Sequence, residues 1–216
     1  MSVFTNFDPK TLSEPGYCAI IGQKSEGQSA LLFDLLESCR DYFSRIYIFT
    51  SSEQTATDFI DEELKDIYFY GSLNPLKRIL DLQAIHARGT HNLVLNDNLS
   101  DTYKNTKTRL IKEGRCRKPI AVVFACSIAK NSFHSEHMRS LCFYSRSLDI
   151  RSIFLGCIFD FPPQLRMNFT EIFFMQDSST DVLYKTYFQE LTKLQFDEIF
   201  ATETKPNQAL DRKSVV

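Results

Sequence analysis

The segment GQKSEGQS, residues 22–29, sets Gly22, Gly27 and Ser29 at the positions required by a phosphate-binding loop of the form G-x-x-x-x-G-K-[ST]. In such a loop, backbone N–H groups surround the phosphates, a lysine neutralises the terminal phosphate charge, and the hydroxyl ligates magnesium. Gln28 stands at the lysine position. Its amide donates a neutral hydrogen bond and brings no charge. Losing a preorganised cationic contact costs about 3 kcal/mol of transition-state stabilisation or more. Lys24, inside the same loop, is the candidate replacement cation. Gly22, Lys24, Gly27, Gln28 and Ser29 thus form a degenerate nucleotide site.

A phosphate loop works only between a buried strand and a helix, because it uses the helix N-terminus and free backbone amides. The flanking sequence provides both. YCAIIG (17–22) reads as a buried strand, and QSALLFDLLESCRDYF (28–43) as a helix with Leu31, Leu32, Leu35, Leu36, Cys39 and Phe43 on one face. Further strands are expected at 45–50, 66–71, 119–126, 151–159 and 171–175. Helices are expected at 75–87, around 99–113, at 135–148 and at 179–196. PIAVVFAC (119–126) is continuously apolar, as a strand covered on both faces should be. This alternation predicts a three-layer α/β domain with a mostly parallel central sheet. It occupies 1–200 as one domain, with 201–216 as a flexible C-terminal tail. The last residues, 213–216, can also be imagined adding to a sheet edge, but read as tail.

Composition narrows the alternatives. With 25 basic and 27 acidic residues, no global charge points to nucleic acid or to a membrane surface. No apolar run is long enough to span a bilayer, and the N-terminal MSVFTNFDPK lacks the pattern of a secretory leader. The six cysteines form no C-x-x-C pair and several fall within apolar strand-like runs, which suits reduced, buried thiols. His134 and His137, one helical turn apart, read as solvent-facing rather than as metal ligands. One local charge excess stands out. Lys104, Lys107, Arg109, Lys112, Arg115, Arg117 and Lys118 face the single acid Glu113 within 104–118, making them candidates for contact with a nucleic-acid backbone.

The most specific wording is FPPQLRMN, where Pro162, Pro163, Arg166 and Asn168 keep a Pro-Pro-x-x-Arg-x-Asn pattern. Taken with the loop, RKPIAVVFACSIAK and RSIFLGC, residues 15–176 resemble the DNA-packaging ATPases of large DNA viruses, of poxvirus type, in the HerA/FtsK class of P-loop NTPases. The resemblance implies a P-loop NTPase-like fold. It places the lost magnesium-binding acids at Ala125 and Cys126, and a lost polar sensor of the γ-phosphate at Cys157. The turn Ser145-Arg146-Ser147 keeps only the arginine of the family's Gly-Arg-His. Hydrated magnesium is a hard ion that wants oxygen ligands, and neither Ala125 nor Cys126 offers one.

These losses imply a catalytically inactive relative with no ATP or magnesium cofactor. Its role would be structural or regulatory in particle assembly or DNA packaging, in the host-cell cytoplasm or the virion. Its partners would be proteins of an assembly, either copies of itself or an active ATPase, with DNA contact possible. Arg166 then has a candidate role in trans, in a neighbouring subunit's nucleotide site. The rival expectation is an active or slow ATP-dependent packaging subunit that uses Lys24, ATP and magnesium. Another is an unrelated α/β binding protein with a fortuitous loop. A different register would make Asp97, in LVLNDNL (93–99), the acidic residue.

Overall fold

The computed structural model describes residues 12, 14–22, 26–51, 66–96, 103–125, 135–156, 161–175, 180–203 and 210–213. In chain order the elements are β1 (Gly16–Ile21), α1 (Glu26–Cys39) with a short 3-10 turn (Arg40–Tyr42), β2 (Arg45–Phe49) and β3 (Ile67–Tyr70). There follow α2 (Asn74–Asn96), α3 (Tyr103–Lys112), β4 (Ile120–Phe124), α4 (Glu136–Tyr144) and β5 (Ile150–Gly156). The chain continues with α5 (Pro163–Arg166), β6 (Glu171–Phe174), α6 (Thr180–Tyr187), α7 (Lys193–Glu203) and β7 (Leu210–Lys213).

The strands form one sheet in the order β3-β2-β4-β5-β1-β6-β7. The first six run parallel, and β7 pairs antiparallel with β6. The expected α/β architecture with a mostly parallel sheet is therefore present. Because β5 lies between β1 and β4, the carboxyl ends of all three reach the same edge, beside the loop that follows β1. Ligands of open α/β sheets bind at such an edge.

Alternation along each buried strand divides the core between two faces. Tyr17, Ala19, Ile21, Phe49, Val122, Phe124 and Phe154 point toward α2, α4, α6 and α7. Cys18, Ile20, Ile48, Val123, Ile153 and Phe173 point toward Leu32, Leu35, Leu36 and Cys39 of α1. Each fully buried leucine of α1 contributes about 1.5–3 kcal/mol. On the first face Phe49, Phe124 and Phe154 stack across β2, β4 and β5 with centroids 5.2 and 5.1 Å apart. Phe161 and Phe169 close onto the end of that row.

Several boundaries differ from expectation for identifiable reasons. The helix expected at 75–87 runs to Asn96, so residues 93–96 are its last turn and not a strand. That removes the register in which Asp97 would end an acidic strand; Asp97 itself lies outside the described residues. α3 ends at Lys112 and is closed by Gly114, whose φ of +71° suits glycine, with Arg115 N–H returning to the Leu110 carbonyl at 2.9 Å.

The terminal helix expected at 179–196 is two helices. Thr192 and Gln195 form a reciprocal cap, Thr192 N–H to Gln195 Oε1 at 3.0 Å and Gln195 N–H to Thr192 Oγ1 at 3.3 Å, which starts α7 afresh. α7 continues through 201–203, and 210–213 form β7, so these parts of the expected tail belong to the fold. Lys213, expected in the tail, pairs with Glu171 of the chain's own β6.

Candidate functional site

At the carboxyl edge of the sheet, backbone donors just beyond the strands are already used. Gly22 N–H bonds the Gly156 carbonyl at 3.1 Å, Met175 N–H the Ile21 carbonyl at 2.8 Å, and Ala125 N–H the Phe49 carbonyl at 2.9 Å. Gly22 is packed too tightly for a side chain, since a Cβ there would lie 2.9 Å from Cβ of Met175. A structural need for glycine thus coincides with the first glycine of the loop pattern.

Gln28 sits in the first turn of α1 and is only 2% exposed. Its Nε2 donates toward the carbonyls of Gly22 at 3.1 Å, Ile20 at 3.4 Å and Gly156 at 3.4 Å. The side chain therefore turns inward, tying the helix start to the ends of β1 and β5. Gly27 and Ser29 are half-buried neighbours in the same turn. Ala125, the first residue past β4, carries no oxygen in its side chain and reaches this edge two strands from β1. Lys24, Cys126 and Cys157 lie outside the described residues. Among the described residues, the positions singled out in the sequence thus offer the hydroxyl of Ser29, no carboxylate at Ala125, and an amide at Gln28 that faces inward.

The Pro-Pro-x-x-Arg-x-Asn segment has a local structural cause. Pro162 is the N-cap of α5 and Pro163 its first residue, where a missing N–H and a fixed φ are tolerated best. Arg166 ends this turn, half-buried, and its Nε is buried with no hydrogen-bond partner among the described residues. Ser145, in the turn Ser145-Arg146-Ser147, is fully buried, bonded to the Leu141 carbonyl at 2.9 Å and to Ser152 Oγ at 2.8 Å. Ser147 bonds the Tyr144 carbonyl at 2.9 Å, while Arg146 reaches the surface.

The basic segment lies at the opposite, amino edge of the sheet, and much of its charge is engaged. Lys107 pairs with Asp149. Arg109 and Arg115 share Glu113 at 3.0 and 3.4 Å. Lys118 donates to the Asp41 carbonyl at 2.5 Å, and Arg117 lies 3.1 Å from Nε2 of His86. Burial, then Arg117 and Arg45, holds the His86 pKa below its ordinary value. Lys112 is exposed, and the side chain of Lys104 is outside the described set.

Among the described residues no His/Cys/Asp/Glu cluster could hold a metal, and no helix is long and apolar enough to cross a membrane. His137, expected in solvent, is half-buried on α4; His134 is outside the described residues. Cys18, Cys39 and Cys116 are buried, as the sequence suggested, and burial pushes the half-buried Cys142 thiol up to about 12.

Sequence reasoning missed a buried ion pair at the amino end of β1. Arg151 of β5 and Glu171 of β6 meet across Gly16, with side chains 1% and 10% exposed. Arg151 also donates to the Glu14 carbonyl at 3.2 Å, and Thr170 Oγ1 lies beside Glu171 and the Tyr17 carbonyl with one proton to give to either. A Cβ on Gly16 would lie 3.2 Å from the Arg151 guanidinium. Charges opening two otherwise apolar strands, RSIFLG and EIFF, were the available signal.

No family model matches the sequence, and no curated protein does. Solved structures do match in fold. EssC (ATPases 2 and 3) from Geobacillus thermodenitrificans superposes with a TM-score of 0.65 at 16% identity, over 94% of this chain and 38% of that one. The pCW3 conjugation coupling protein TcpA gives 0.60 at 12% identity, over 80% of this chain and 52% of that one. This chain therefore spans about half of those proteins or less. The genome packaging NTPase B204 of Sulfolobus turreted icosahedral virus 2, in complex with AMP, gives 0.56 at 10% identity. There the overlap is 96% of this chain and 94% of that one. The fold is thus shared with ATPase regions of EssC, with a conjugation coupling protein and with a genome packaging NTPase.

Proposed function

We propose that this chain is a catalytically inactive packaging-ATPase-like protein that keeps the fold as a binding surface, with a structural or regulatory role in viral particle assembly or DNA packaging. The observation that carries the proposal is the inward amide of Gln28, spent on the carbonyls of Gly22, Ile20 and Gly156 at the place where a phosphate loop presents a lysine. Ala125, without an oxygen ligand for magnesium, adds support. So does the fold shared with the genome packaging NTPase B204 over nearly the full length of both chains. Its partners are proteins of an assembly, copies of itself or an active ATPase, in the host cytoplasm or the virion.

Phosphate release from ATP with magnesium, with and without double-stranded DNA, tests this. The expected rate is that of buffer. Turnover that Lys24→Ala abolishes would overturn the proposal in favour of an enzyme with relocated chemistry.

A further inference from the structure

A cleft of about 380 Å³ opens at the amino edge of the sheet, away from the phosphate loop, between the end of α4 and the connection from α5 to β6. Its walls include Tyr17, Arg146, Asn168 and Thr170, with Phe143 and Met167 at the rim. Phe143 is 75% exposed and Met167 86%, and the neighbouring Tyr144 is 57% exposed. Large side chains of this kind left in solvent mark contact surfaces more often than chance placement.

The electrostatics are one-sided. Nε of Arg146 lies 3.9 Å from where a Cβ of Gly16 would be, and Nη1 of Arg151 lies 3.2 Å from the same point. Of these two guanidinium groups only that of Arg146 lines the cleft; Arg151 lies behind it, paired with Glu171, while no ion pair neutralises Arg146 among the described residues. Among the described residues, none that lines the cleft is acidic. The Tyr17 hydroxyl donates to the Cys142 carbonyl at 2.5 Å, which ties β1 to the end of α4 beneath the cleft.

We propose that this cleft docks a short segment of a protein partner in which an acidic side chain is flanked by apolar ones, the carboxylate meeting Arg146 and the apolar groups covering Phe143 and Met167. A nucleic-acid backbone needs a row of cations, whereas this site offers one accessible guanidinium inside an apolar rim. An arginine ringed by aromatic and methionine side chains has the composition of an interface hot spot. The site is independent of nucleotide, so it stands or falls apart from the reading of the phosphate loop.

Methionine methyl labelling of the full chain with ¹³C provides the test. Met167 reports the cleft, while Met138 and Met175, 0% and 7% exposed, report the core. The probe is an acetylated five-residue peptide amide in which leucine and phenylalanine alternate with glutamate. The expected result is a saturable shift of the Met167 resonance alone, at about millimolar peptide or below. Arg146→Glu should weaken it at least about tenfold, with the core resonances unmoved. No shift at Met167, equal binding of a peptide carrying lysine for glutamate, an unchanged response in Arg146→Glu, or movement of all three resonances together would each overturn the proposal.

Discussion

The side-chain amide of Gln28 donates to the main-chain oxygen of Gly22 at 3.1 Å, so the helix that a phosphate loop aims at its ligand is bonded here to the strand that enters it. Gln28→Ala should destabilise the chain by about 1–3 kcal/mol, because buried carbonyls lose their donor. Denaturant unfolding measures this. Gln28→Lys restores the cation of the pattern but leaves Ala125 without a carboxylate, so it should produce no ATP turnover. Hydrolysis by that variant would mean that the missing acid is supplied elsewhere.

Gly22→Ala should cost about 1–3 kcal/mol through overpacking, since the new methyl meets Met175 at 2.9 Å. Met175→Ala in the same chain should relieve part of that cost. A double-mutant cycle by chemical unfolding is then expected to show coupling of about 0.5 kcal/mol or more. Strict additivity would place the need for Gly22 in the loop and not in this contact.

Removing one side of the Arg151–Glu171 pair leaves a charge or a donor fork buried alone. Glu171→Leu should cost about 3–5 kcal/mol. Replacing both, Arg151→Met with Glu171→Leu, should recover most of that loss, because well-packed apolar residues often match a buried pair. Thermal denaturation of the three variants decides it.

His86 sets a pH dependence with a defined sign. Its pKa in the folded chain lies below 6.5, so the unfolded chain binds the proton more readily. The contribution is therefore present above 6.5 and is lost as pH falls below it, through the folded value. The melting temperature should drop between about pH 7 and pH 5, and His86→Gln should flatten that part of the curve. Arg117→Gln should shrink it, since Arg117 is one of the causes of the lowered value. A slope unchanged in His86→Gln would assign the dependence to other groups.

Much of this architecture was legible because its signals are local. Strands buried on both faces give continuous apolar runs such as IAVVF, and α1 shows its apolar face at helical spacing. The break between α6 and α7 was missed because the apolar period carries across it while the Thr192–Gln195 cap interrupts it. β7 was missed because LDRK has no strand-like composition and is held by pairing with β6. At the site, the sequence showed glutamine where the loop pattern has lysine. It could not show that Gln28 faces inward, since that depends on carbonyls from β1 and β5, which lie far apart in the chain and meet only in the sheet.

A nucleotide site left idle by the inward amide of Gln28, as proposed, binds no ATP. Calorimetric titration of the full chain with ATP and magnesium tests it most directly. No saturable heat is expected up to about millimolar nucleotide. Saturable binding that is lost in Lys24→Ala would contradict it.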